Sequence, residues 1–123
     1  MRLILFGIII LLSGCKTKEQ PARKLSKEEM VQIGRKLYRY TGCTDCHFIT
    51  ERELAGPGLK GVTKRRSKEW IIGIITNPDS MFKHDSIAKA LYKAYDKIGL
   101  HMSNKGITRE EAEAIYEFLK TLN

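Results

Sequence analysis

The sequence predicts an all-α domain of about four helices joined by long loops. Apolar residues recur at helical spacing in several segments. Two segments open with a Ser/Thr-x-x-Glu capping signature: Ser26 with Glu29, and Thr108 with Glu111. No stretch alternates apolar and polar residues as a half-buried strand would.

The first helix starts at Ser26 and runs to about Tyr40, with Met30, Ile33, Gly34, Leu37 and Tyr38 on one face. "ERELAGPGLKGV" is a loop, because Gly56, Pro57, Gly58 and Gly61 break any regular element. A short helix then reads "SKEWIIGIIT", capped by Ser67, with Trp70, Ile71, Ile74 and Ile75 on its face and Asn77-Pro78 as its stop. "HDSIAKALYKAYDKIG" is a third helix. Asp85 or Ser86 caps it, Ile87, Leu91 and Tyr95 or Ile98 make its stripe, and Gly99 ends it. After the polar loop "LHMSNKG", the last helix buries Ala112, Ile115, Tyr116, Leu119 and Leu122. Loops this long are unusual in so small a helical domain and need something to wrap around.

The chain has 123 residues, enough for one small domain with a thin core. A large apolar cofactor would supply buried surface that the side chains cannot. The opening "MRLILFGIIILLSGC" places Arg2 before an apolar run from Leu3 to Leu12 that is too short to span a bilayer but suits a secretory signal. Its ending, Leu12 to Cys15, resembles the bacterial lipobox. That resemblance implies cleavage after residue 14 and acylation of Cys15. Residues 1–14 then form a signal peptide, residues 15–25 a lipidated flexible tether, and residues 26–123 the domain. The net charge of +8 loses only Arg2 on cleavage. In an exported domain that charge points to acidic protein surfaces or an anionic membrane face, and away from nucleic acid.

"CTDCH", residues 43–47, carries the chemistry. A thioredoxin-like dithiol belongs in a strand–helix setting that this chain lacks. A zinc site needs four ligands, and only Cys43, Cys46 and His47 cluster, with His84 or His101 as remote candidates. Covalent haem attachment uses all three residues. Two cysteines three apart lie on one face of a helical turn and can add to two vinyl groups, and the next residue, His47, can bind iron through Nε2.

With these elements in order, the chain resembles a class I (mitochondrial-like) cytochrome c over nearly all of residues 26 to 123. The matching pieces are "CTDCH", "GPGL", "EWIIGIITNP", "HMSNKG" and "ITREEAEAIYEFLK". The resemblance implies one haem c, thioethers at Cys43 and Cys46, and His47 as proximal iron ligand. It implies that the Pro57 carbonyl accepts the Nδ1 proton of that histidine. Trp70 would pack beside the haem and donate to a propionate, and one arginine of "KGVTKRRSK" would neutralise a propionate. Gly34 would let the terminal helices cross closely, against Tyr116 or a neighbour. Met102, 55 residues after His47, stands where the family places its distal ligand, with His101 as competitor; Met81 and His84 are the remaining candidates. Ser103 follows Met102 where the family often has proline.

A six-coordinate iron suits one-electron transfer, not catalysis. The expected protein is a membrane-anchored electron carrier that shuttles between acidic-surfaced respiratory partners, facing the periplasm or exterior. The alternative is a haem-based sensor or ligand-binding module with a labile sixth ligand.

Overall fold

The computed structural model describes residues 23–96 and 99–123. The lipobox-like leader, Cys15 and most of the tether lie outside the described residues, as does Ile98. Among the described residues there are six α-helices and no strand; the sole β-type pairing is a bridge between His47 and Glu53.

Helix α1 spans Lys27–Tyr40 and α6 spans Arg109–Lys120. Both begin in a complete capping box, Ser26 with Glu29 and Thr108 with Glu111. Each box satisfies two backbone donors that a bare helix start would leave open. The two helices cross directly, with Gly34 against Ala114. The neighbour at this crossing is thus Ala114 and not Tyr116.

Helix α3, Lys68–Thr76, packs on α6. Ile71, Ile72 and Ile75 enter the core beside Ile115, Phe118 and Leu119. Full burial of side chains such as Ile72 and Ile115 contributes about 1.5–3 kcal/mol each. The expected face of α3 is therefore corrected in part: Ile72 is buried, whereas Trp70 and Ile74 are only partly buried. A helix that is apolar almost all round serves two surfaces. On α6, likewise, Ala114 and Phe118 are buried where Tyr116 and Leu122 were expected, and those two are partly buried at the edge.

Two short helices occupy stretches read as loops. Helix α2 is Val62–Arg65, and α4 is Pro78–His84. Asn77 does end α3, but it also caps α4 by accepting from the Ser80 amide, and Pro78 sits in the first turn of α4. Proline is preorganised for that position and has no amide to leave unpaired. Helix α5 is Ser86–Tyr95, capped by Asp85. Its inward face is Ala88, Leu91, Tyr92 and Tyr95, while Ile87 is 40% exposed, contrary to the expected stripe.

Candidate functional site

Helix α1 delivers the chain into the Cys/His motif. Gly42, at φ +78°, turns it into a single 3₁₀ turn over Cys43–Asp45. A left-handed residue is inexpensive only for glycine. The turn closes with Cys46 N donating to Cys43 O at 3.3 Å and His47 N to the same oxygen at 2.9 Å. The following loop folds back on it. Gly56 N donates to Cys46 O at 2.9 Å, and Leu59 N to Phe48 O at 2.9 Å.

These bonds bring Pro57 over His47. His47 Nδ1 lies 2.8 Å from Pro57 O. A carbonyl only accepts, so Nδ1 carries the proton and Nε2 keeps its lone pair. Burial pushes the His47 pKa down, and the bond to Pro57 offsets this only in part. The ring is thus held neutral, the form that ligates metals. Gly56 lies flat on this imidazole, and a β-carbon there would come within 2.6 Å of its Cε1. Cys43 and Cys46 are free, half-buried thiols. Burial pushes the Cys43 thiol pKa up, against a smaller opposing effect of Thr41, whose Oγ1 is 3.4 Å from its sulfur.

All of these groups face one cavity of about 290 Å³. Cys43, Cys46, His47 and Pro57 line it, and so do Trp70, Ile74, Ile115, Leu119 and Met102. Met102 is half-buried and packs against the core, whereas His101 is exposed at the wall with its ring 5.4 Å from Tyr92. Met81 and His84 are absent from the wall. Met81 is on α4 and packs against α3, its sulfur 3.3 Å from where a β-carbon on Gly73 would be. His84 ends α4 and is exposed.

Trp70 lines the cavity, but its indole N–H is donated to Asp85 Oδ1 at 3.0 Å. That donor is engaged within the protein. Arg65 and Arg66 both reach the wall. Arg65 is fixed by donating to Lys60 O at 2.6 Å and Gly58 O at 3.1 Å, and Arg66 lies 5.4 Å over the Trp70 ring.

Sequence reasoning missed three members of the site. Tyr38 donates to His47 O at 2.6 Å, Gly56 makes room for the imidazole, and Lys105 joins the cavity wall. Tyr38 was readable in part: a tyrosine on a buried helix face needs a partner for its hydroxyl.

The residues fit a covalently attached haem. The wall is mostly apolar, two free thiols sit together, and a neutral imidazole has its far nitrogen unengaged. A thioether faces the same cavity, and two guanidinium groups are at hand for carboxylates. A zinc centre is not supported, since no three His, Cys, Asp or Glu side chains among the described residues gather to hold an ion.

This arrangement defines a class of small all-α proteins that clasp a haem bound through a Cys-x-x-Cys-His turn. Residues 31–123 match the cytochrome c family, and the chain belongs to it. It is similar to cytochrome c from Rhodothermus marinus, with 32% identity over 84% of this chain and 89% of that one, at a TM-score of 0.70. An engineered form of that cytochrome bound to a carbene intermediate is 30% identical over 84% of this chain and 89% of that chain, with a TM-score of 0.67. No curated protein matches the chain. The protein is a class I c-type cytochrome, an electron carrier with covalent haem c.

Proposed function

We propose that the protein is a lipid-anchored, mono-haem electron carrier that works outside the cytoplasmic membrane between acidic-surfaced respiratory partners. The observation that carries this reading is the Cys43–His47 turn, with His47 locked to Pro57, sharing one apolar cavity with Met102. Cys43 and Cys46 would hold the haem as thioethers, and His47 and Met102 would bind its iron. Bound there, the haem supplies a one-electron couple, and Met/His ligation raises its potential. The chain's own part is to keep His47 neutral and oriented, to exclude water with the α3 and α6 side chains, and to hold Arg65 and Arg66 at the cavity wall, where they could pair with carboxylates.

The leader ending in Cys15 and the short polar tether support a lipid anchor. Among the described residues no helix is long and apolar enough to cross a membrane. Tethering raises the effective concentration near membrane partners. The net charge, +8 for the full chain and one unit less once Arg2 is removed with the leader, supports acidic partners, bound weakly and with salt sensitivity.

The first experiment is an optical spectrum of the matured protein in both redox states. A reduced c-type spectrum that survives denaturation, with a ferric sulfur-to-iron band lost in Met102→Ala, is expected. Absence of that band in wild type would move the distal ligand to His101 or leave the position open. For the anchor, Cys15→Ser should release the protein from the membrane fraction, and unchanged retention would count against lipidation.

One observation favours a second reading, a ligand-binding sensor. Among the described residues, 99–107 make no backbone–backbone hydrogen bond, and one turn bond, Gly106 N to Asn104 Oδ1 at 2.8 Å, braces the loop that carries Met102. Rapid, complete binding of carbon monoxide to the reduced protein would support that reading. Slow or partial binding would leave the electron carrier.

A further inference from the structure

Tyr38 stands where the α1–α6 crossing meets the Cys43–His47 turn. Its side chain is 3% exposed and its ring is 5.5 Å from the Phe118 ring. Phenylalanine would fill that space equally well. The added hydroxyl must be matched, since an unpaired one this deep costs about 1–3 kcal/mol. Its match is the backbone oxygen of His47, at 2.6 Å. Burial, and secondly the charge Cys43 would carry as a thiolate, push the Tyr38 pKa up to about 12, so the phenol stays a donor at any ordinary pH. Thioether formation would remove the second cause and leave the first.

Three bonds fix His47. Its amide is held by Cys43 O at 2.9 Å and its ring by Pro57 O at 2.8 Å, both within the loop itself. Its carbonyl is held by Tyr38, which belongs to the helix pair. Among these bonds, Tyr38 supplies the one that ties His47 to the α1–α6 helix pair.

We propose that Tyr38 is a positioning residue for the proximal ligand and, through it, a determinant of the reduction potential. The proposal rests on His47 as iron ligand. A pinned His47 peptide keeps the ring in line with the Pro57 carbonyl. A strong Nδ1–H···O bond leaves more electron density on Nε2, which favours the ferric state. Loosening the peptide weakens that bond and favours the ferrous state, so the potential rises.

The test compares holoprotein of wild type, Tyr38→Phe and Phe118→Leu. Redox titration gives the potential, and NMR of the reduced protein gives the exchange rate of the His47 Nδ1 proton. Tyr38→Phe should mature with haem, shift the potential upward and exchange that proton about fivefold faster, the scale of one ordinary hydrogen bond. Phe118→Leu, which disturbs the same packing but keeps the hydroxyl, should lower the melting temperature and leave the potential in place. An unchanged potential and exchange rate in Tyr38→Phe would overturn the proposal. So would rapid exchange of the Tyr38 hydroxyl proton in wild type, a measurement that needs no variant. If wild type itself lacks the ring-current-shifted proton signals of an iron-bound His47, the ligand assignment fails instead, whatever Tyr38 does.

Discussion

Gly34 touches the backbone of Ala114 across the α1–α6 crossing: a β-carbon on Gly34 would run into the Ala114 carbonyl and stand 2.9 Å from the Ile115 nitrogen. Backbone atoms cannot swing aside as a side chain can. The closeness of the two terminal helices is therefore set by one missing methyl group.

Gly34→Ala tests which of two effects wins. In a free helix the change would stabilise by about 1 kcal/mol. Here the methyl must push two helices apart, and overpacking of this kind costs about 1–3 kcal/mol, sometimes more. The expected outcome is net destabilisation, read as a lower thermal midpoint of the holoprotein. A midpoint equal to or above wild type would show that the crossing can relax.

Gly56→Ala addresses the site directly. The new methyl would press on the His47 ring, 2.6 Å from Cε1 and 3.0 Å from Nδ1. Either the ring tilts or the loop lifts, and both lengthen the bond to Pro57. Lower haem incorporation and an altered reduction potential are expected, with far-UV helix content kept. Normal maturation at the wild-type potential would mean that the loop has slack.

The outer helices were legible because their signals are local. Ser26/Glu29 and Thr108/Glu111 fix two helix starts within four residues each, and the structure has both boxes. Helix α3 was legible as a helix, but its face was not. Its isoleucines serve both the core and the cavity wall, so periodicity cannot separate Ile72 from Ile74. Asn77-Pro78 misled for a related reason. The same pair that ends one helix is ideal for starting the next, and sequence shows the stop but not the restart. The bond from Trp70 to Asp85, 15 residues apart, depends on how α3 and α5 dock, which no local pattern encodes.

On the surface Arg109 pairs with two carboxylates, Glu69 at 2.8 Å and Glu113 at 3.5 Å. Its side chain is 56% exposed, and it sits in the first turn of α6, where the helix dipole disfavours a cation. Water screening and the dipole both reduce its value. Arg109→Ala should leave the unfolding midpoint nearly where it was, even at low salt. A large drop at low salt that disappears at high salt would show that this network matters more than its exposure implies.

Asp85 joins α3 to α5 and should make that joint sensitive to acid. Its Oδ1 accepts from the Ala88 amide at 2.8 Å and from the Trp70 indole at 3.0 Å. The Ala88 bond first, then the Trp70 bond, hold its carboxyl below the usual carboxylate range, with a smaller contribution from the Arg66 charge. The folded pKa lies below the unfolded one, about 3.9. The ionised group therefore stabilises the fold fully above the unfolded value, and that stabilisation is lost as pH falls through the folded value. In Asp85→Asn the cap can persist, since asparagine caps helices well, but the titration is gone. Wild type should be more stable than the variant at neutral pH, and the gap should close below about pH 4. The indole proton of the single tryptophan should move with the same transition in wild type and stay put in the variant. Parallel acid profiles for the two proteins would show that Asp85 does not govern the joint.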